Sequence, residues 1–197
     1  MKILCYGDSN TYGFDPCFGG TGRLPKNGRW TGILAAMPEF QVINEGRNGR
    51  CIPCRKWEYE DLNDMLARYS KVDVLTIMLG SNDVYMMFDA TAEKIAARME
   101  ALFDEKNVPM LQKMKEGGTR IILMAPPAMY LEGSRQERVL SRISQELAEK
   151  YREIAARQKV DFLDWNKWNL QMAYDGLHIR EAGHIVAAEK MRAFLLG

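Results

Sequence analysis

The feature that most constrains the fold is the segment Val72–Leu79, which is almost continuously apolar and rich in β-branched residues. Ile121–Ala125, within the run Arg120–Ala125, has the same character. Strands of this kind are buried on both faces, which is typical of a parallel sheet covered by helices. Three further short apolar runs lie at Lys2–Tyr6, Phe40–Asn44 and Val160–Leu163, so the sequence predicts five strands.

Helical patterns separate these runs. In Ser134–Arg157, apolar residues recur at spacings of three and four, as on one face of an amphipathic helix. The other predicted helices are Trp30–Met37, Trp57–Tyr69, Ala92–Phe103 (after Thr91 as N-cap) and Glu181–Leu196. Strands that alternate with helices predict an α/β fold with a parallel sheet. We see no linker or repeat, so we expect residues 1–197 to form one domain.

Charge and hydropathy exclude several function classes. The formal net charge is +1 and no basic block stands out, which argues against nucleic acid or an anionic membrane as a partner. No apolar run approaches the roughly 20 residues of a membrane span. The first apolar segment is also too short for a signal peptide. We therefore expect a cytoplasmic protein.

The four cysteines, at positions 5, 17, 51 and 54, give little evidence for a metal or redox centre. Cys51 and Cys54 form a CxxC motif, but a structural zinc site needs two more ligands and no second pair lies nearby. We favour reduced thiols, with a Cys51–Cys54 disulfide or an adventitious metal as alternatives. Gly19–Gly22 is interpreted as a loop, because no Lys-Ser/Thr follows it as in a phosphate loop. No cofactor is expected.

Polar, glycine-rich segments lie at or near the carboxyl ends of the predicted strands, where open parallel sheets bind their ligands. They are Gly7–Asn10 after the first strand, Asn44–Arg50 after the second, Gly80–Asp83 after the third and Asp175–His178 before the last helix. These segments are therefore expected to meet at one edge of the sheet.

The four segments contain the groups that acyl transfer needs. A serine becomes nucleophilic when a base takes its proton, and the base needs an orienting group, commonly a carboxylate. Ser9, His178 and Asp175 supply these types, and one turn can bring Asp175 to His178. The amide of Asn82 and glycine N–H groups are donors for an oxyanion. Each segment alone is also typical of a turn, but together they favour catalysis.

These segments resemble the four sequence blocks of the SGNH-hydrolase superfamily, also called the GDSL esterases and lipases. The matching stretches are Gly7–Ser9, Asn44–Gly49, Gly80–Asp83 and Asp175–His178. The resemblance spans nearly the whole chain and implies a flavodoxin-like three-layer α/β/α sandwich with a five-stranded parallel sheet. Arg29–Gly32 and Ile77–Asp83 are most similar to the arylesterase/acyltransferase branch, which handles small acyl groups.

The resemblance also implies roles for individual residues. Ser9 would be the nucleophile, His178 the base and Asp175 the residue that orients the base. The backbone N–H groups of Ser9 and Gly49 and the side chain of Asn82 would form the oxyanion hole. Gly49 is preferred because the family's glycine lies five residues beyond the strand-ending Asn, here Asn44, and Gly46 is the alternative. Three residues would support the site, namely Asp8, Asn48 and Asp83.

One position departs from the family's name. The leucine of the GDSL motif is Asn10 here, which makes the surroundings of Ser9 more polar and weakens a long-chain lipase interpretation. The first hypothesis is therefore a serine esterase that cleaves a small-molecule, short-chain ester of an alcohol, sugar or aryl group. The alternatives are an acyltransferase with the same triad, a lysophospholipase-type lipase and a non-catalytic flavodoxin-like binding module. A homo-oligomer stays possible.

Overall fold

The computed structural model describes residues 1–18 and 22–197, so most of the predicted loop Gly19–Gly22 lies outside the described residues. A five-stranded, all-parallel sheet forms its centre, with the strand order β2-β1-β3-β4-β5. The strands are β1 (Lys2–Gly7), β2 (Gln41–Gly46), β3 (Val74–Met78), β4 (Arg120–Ala125) and β5 (Asp161–Asp164). This order is that of a flavodoxin-like sheet, so the predicted fold class is confirmed.

The second strand extends beyond its predicted carboxyl end. It ends at Gly46, whereas the apolar run predicted an end at Asn44. Parallel pairing with β1 continues to the last residue of both strands, where Gly7 is opposite Gly46. The glycine-rich segment therefore begins inside the sheet.

Helices follow each of the five strands. They are α1 (Ser9–Tyr12), α2 (Trp30–Ala35), α3 (Lys56–Arg68), α4 (Ser81–Met86), α5 (Ala92–Ala101), α6 (Pro109–Glu116), α7 (Arg135–Gln158) and α8 (Glu181–Leu196). Thr91 caps α5 by accepting the N–H of Lys94 at 3.2 Å, as predicted. In the ranges 1–18 and 22–197, no helix combines the length and the apolar character needed to cross a membrane.

The sheet is buried on both faces. Ile3 and Cys5 of β1 pack in one core with α2 and α8, whose core residues include Trp30 and Met191. Alternate residues of the same strand, such as Leu4, lie in a second core with α3, α5, α6 and α7. Because neighbouring side chains of a strand point to opposite faces, two apolar cores produce three layers.

The two histidines occupy different environments. His184 is fully buried in α8, and its Nδ1 accepts the N–H of Trp30 at 3.4 Å. Burial, assisted by the charges of Arg29 and His178, lowers the pKa of His184 to about 3. His184 is therefore a neutral core residue, which leaves His178 as the histidine available for proton transfer.

Candidate active site

Ser9 lies at the carboxyl edge of β1, as the first residue of α1. Asp8 caps this short helix, because its Oδ1 accepts the N–H of Asn10 at 2.9 Å. A Cβ on Gly7 would lie 2.0 Å from Oγ1 of Thr11, so only glycine allows the chain to turn this tightly. The turn thus fixes the Ser9 hydroxyl at the edge of the sheet.

The structure brings the side chains of Ser9, His178 and Asp175 into one hydrogen-bonded series. Nε2 of His178 lies 3.1 Å from Oγ of Ser9, and Nδ1 lies 2.6 Å from Oδ2 of Asp175. The other carboxylate oxygen, Oδ1, accepts the backbone N–H groups of Leu177 and His178 at 3.0 and 3.1 Å. The predicted single turn between Asp175 and His178 therefore orients both groups.

The carboxylate of Asp175 is held in its charged form. Partial burial acts to raise its pKa, but the hydrogen bonds from His178 and from two backbone N–H groups outweigh burial and lower the pKa. An ionised Asp175 favours the tautomer of His178 with its proton on Nδ1. Nε2 is then the acceptor that faces Ser9.

The ring of His178 is also held by an aromatic neighbour. Phe14 packs against it with 4.7 Å between ring centroids and 57° between the ring planes. Sequence reasoning did not assign this contact, because Phe14 lies in a loop and its partner is far along the chain.

Donors for an oxyanion lie on the neighbouring segments. Gly49 adopts a φ of +71°, in the left-handed region that glycine adopts without strain. The N–H of Gly46 already donates to Oδ1 of Asn44 at 2.8 Å, so Gly46 is not a free donor. Within residues 1–18 and 22–197, the backbone N–H groups of Ser9 and Gly49 have no protein acceptor. These contacts favour Gly49 over the alternative Gly46.

Asn82 follows β3 in α4 and is half-buried. Its Nδ2 donates to the carbonyl of Arg50 at 3.0 Å. An amide nitrogen carries two hydrogens, so one remains for a ligand. The bond to Arg50 fixes the amide beside the loop that carries Gly49.

Arg50 connects the loop after β2 to the end of β1. The sequence did not indicate this role. Its Nη1 donates to the carbonyl of Gly7 at 2.9 Å and also to the carbonyl of Glu45. The guanidinium lies over the ring of Tyr6, 4.4 Å from its centroid. This arginine therefore ties the loop of Gly49 to the end of β1.

Of the three predicted supporting residues, Asp8 and Asp83 are buried and Asn48 is not. Asp8 is fully buried, and burial raises its pKa to about 6 against the hydrogen bond from Asn10. Asp83 accepts the N–H of Ile52 at 2.9 Å and Nη1 of Arg98 at 3.2 Å, while burial raises its pKa to about 6. Asn48, in contrast, is exposed.

A polar cleft of about 530 Å³ borders the loop of Asn48 and Gly49. Many of its lining residues are charged, among them Glu45, Arg47, Asp61, Asp64 and Arg68, and an exposed Trp57 lies at its margin. The cleft is not lined by Ser9 or His178. It adjoins the candidate oxyanion loop and is distinct from the nucleophile itself.

None of the four cysteines, all of which lie in the described residues, forms a disulfide bond. Burial raises the pKa of the Cys51 thiol to about 11, which disfavours its reactive thiolate form. Across the described ranges, no three His, Cys, Asp or Glu side chains are grouped so as to hold a metal ion.

Comparisons with known proteins bear on the family and the fold of this chain. The model of the GDSL-like Lipase/Acylhydrolase family matches residues 5–186, most of the chain. A search of curated proteins gave no significant match.

Solved structures of similar fold cover almost the whole chain. The carbohydrate acetylesterase Est24 from Sinorhizobium meliloti is 27% identical, with 98% of this chain and 99% of that chain aligned and a TM-score of 0.79. The inhibitor-bound aryl esterase of M. smegmatis is 28% identical, with 98% of both chains aligned and a TM-score of 0.80. A lipolytic G-D-S-L protein from Veillonella parvula, 17% identical over 100% of this chain and 98% of that chain, shares the fold with a TM-score of 0.71.

Proposed function

The chain belongs to the GDSL-like lipase/acylhydrolase family and is a hydrolase of ester bonds, and on this premise we propose that it cleaves short-chain esters through an acyl-enzyme on Ser9. One observation carries the proposal: Oγ of Ser9, the imidazole of His178 and the carboxylate of Asp175 are joined by contacts of 3.1 and 2.6 Å. A binding module has no need of this proton path.

In the acylation step, Oγ of Ser9 bonds to the acyl carbon while its proton passes to Nε2 of His178. The carbonyl π electrons move to oxygen and form a tetrahedral oxyanion. When the ester C–O bond breaks, the imidazolium returns the proton to the leaving alcohol. Asp175 stabilises the imidazolium through Nδ1 and remains ionised throughout.

Deacylation repeats these steps with water as the nucleophile. His178 takes a proton from water, the hydroxyl oxygen bonds to the acyl carbon, and the carbon–Oγ bond breaks. The proton then returns to Ser9 and the carboxylic acid leaves. An alcohol in place of water would give a new ester, so the same residues also support acyl transfer.

The oxyanion of both steps would be stabilised by three donors, namely the N–H groups of Ser9 and Gly49 and Nδ2 of Asn82. All three are held before substrate binds, since Ser9 is in a capped helix, Asn82 is bonded to Arg50, and Arg50 in turn ties the loop of Gly49 to the end of β1. Donors that need no reorganisation stabilise the transition state more than the bound ester.

For Asn82→Ala we expect kcat for p-nitrophenyl acetate to fall about 10²- to 10³-fold, with KM little changed, because one oxyanion donor is lost. Steady-state kinetics measure both constants. Asn107→Ala is the matched control, since Asn107 also donates its amide to a backbone carbonyl, that of Ala101 at 2.9 Å. An unchanged kcat in Asn82→Ala would remove Asn82 from the oxyanion hole.

The cleft beside the oxyanion loop supports a polar alcohol group and a short acyl chain. Many of the residues that line this cleft carry carboxylates or guanidinium groups, which suits a polar alcohol group better than a long acyl chain. The carbohydrate acetylesterase Est24 is by its name an enzyme that acts on a small acyl group, which supports the same choice for this chain.

We therefore expect hydrolysis of p-nitrophenyl esters to decline steeply from acetate to octanoate. The measurement is kcat/KM across the graded series, with acetylated sugars as a second set of substrates. A maximum at long chains would favour the lysophospholipase-type alternative instead. Product analysis with added alcohol tests acyl transfer, because a transferase would form the new ester at the expense of free acid.

A further inference from the structure

We propose that Asn10 is a positioning residue that holds His178 at Ser9, an inference that rests on the proposed esterase function. Asn10 is the residue after Ser9 in α1 and is 1% exposed. Its Nδ2 donates to the carbonyl of Leu177 at 3.2 Å, and its Oδ1 accepts the N–H of Ile179 at 2.9 Å. The two bonds therefore clamp the backbone on either side of His178.

The chemistry of this clamp requires a side-chain amide. A backbone carbonyl only accepts and a backbone N–H only donates, so the group between them must do both. Aspartate of the same shape accepts the N–H of Ile179 but has no donor for Leu177 when ionised. Leucine, the residue of the family's name, satisfies neither and would leave one buried and one partly buried backbone group without its partner.

The backbone of Asn10 is itself held rigidly, so its side chain can fix the position of the segment that carries His178. Its N–H donates to Oδ1 of Asp8 at 2.9 Å, and its carbonyl accepts Nε1 of Trp30 at 3.1 Å. Trp30 is fully buried in the core between α2 and α8. The side chain of Asn10 thus extends from a backbone that packing has already fixed.

The bonds of Asn10, together with one from the N–H of Tyr130 to the carbonyl of Gly176, anchor the segment that carries His178 to the rest of the fold. His178 lies outside the helices and strands, in the irregular stretch between β5 and α8. Its own backbone bonds, from its N–H to Oδ1 of Asp175 and from the N–H of Ala173 to its carbonyl, stay within that stretch and move with it. The bonds of Asn10 instead set its distance from the helix that begins with Ser9.

This arrangement predicts a specific kinetic defect. In Asn10→Leu the imidazole of His178 is no longer held at hydrogen-bond distance from Oγ of Ser9. A displacement of about 1 Å lowers the rate by up to about 10²-fold. We expect kcat for p-nitrophenyl acetate to fall about 10- to 100-fold with little change in KM. The rate at which a fluorophosphonate labels Ser9 should fall in parallel, because labelling uses the same proton transfer.

Asn63→Leu is the matched control. Asn63 clamps backbone groups in the same way, with Nδ2 donating to the carbonyls of Tyr59 and Asn107 at 2.9 Å and Oδ1 accepting the N–H of Met110 at 3.0 Å. Both leucine variants should lower the unfolding temperature. Only the Asn10 variant should lower kcat, which separates positioning from a general loss of stability.

Asn10→Asp gives a second test that does not depend on the leucine variant folding. It retains the acceptor for Ile179 and loses the donor to Leu177, so its kcat should fall as well, by less than in Asn10→Leu. A wild-type kcat in Asn10→Asp, or equal losses in the Asn10 and Asn63 leucine variants, would overturn the positioning role. If the unmodified protein failed to hydrolyse any ester, the proposed function itself would fall instead.

Discussion

Replacing Ser9 by alanine is expected to lower kcat for p-nitrophenyl acetate by about 10⁴- to 10⁶-fold, since no other group would form the acyl-enzyme. The side chain of Ser9 has one hydrogen-bond partner in the site, His178. Losing one bond of this kind changes the free energy of unfolding by only about 1 kcal/mol. The variant should therefore fold normally while losing activity.

Two measurements make the Ser9→Ala result decisive. Mass spectrometry of wild-type protein treated with a fluorophosphonate should place the label on the peptide that contains Ser9, and the variant should not be labelled. Ser70→Ala, at an exposed position after α3, is the serine control and should keep wild-type kcat. Substantial turnover in Ser9→Ala would show that another residue carries the chemistry.

Local sequence signals were sufficient to predict most of the fold. β4 has the bounds that its apolar run indicated, and α8 spans Glu181–Leu196 as predicted. Caps mark the helix ends for a physical reason: Thr91 and Ser134 satisfy N–H groups that the first turn leaves without partners. The end of β2 was misplaced because glycine usually interrupts strands, whereas Gly46 continues the pairing with β1.

The parts of the candidate site that depend on local spacing or on sheet topology could be predicted from the sequence. The spacing of Asp175 and His178 is local, and the carboxyl edge of a parallel sheet brings the four segments together. The fixing contacts were not predictable. Asn10 bonds to Leu177 and Ile179 across 167 and 169 residues, and Arg50 bonds to Gly7 across 43. A single sequence has no signal for such pairings, because a buried amide and a turn-forming amide look the same.

The second large effect is expected from Asp175→Asn. Asparagine has the same shape, and its Oδ1 can still accept the N–H groups of Leu177 and His178 that Asp175 binds. Nδ2 would then donate toward Nδ1 of His178, which must become an acceptor. The ring proton moves to Nε2, so the face toward Ser9 donates instead of accepting and the base is lost.

For Asp175→Asn we therefore expect kcat to fall about 10³- to 10⁴-fold with KM and the unfolding temperature nearly unchanged. The control is Asp73→Asn, since Asp73 accepts the N–H of Lys2 at 2.6 Å at the opposite edge of the same sheet. It should keep full activity. Because the pKa of Asp175 lies below its usual range, acidification to about pH 5 should leave its carboxylate ionised in wild-type protein. A kcat in Asp175→Asn within a few-fold of wild type would mean that Asp175 fixes the loop but does not set the tautomer of His178.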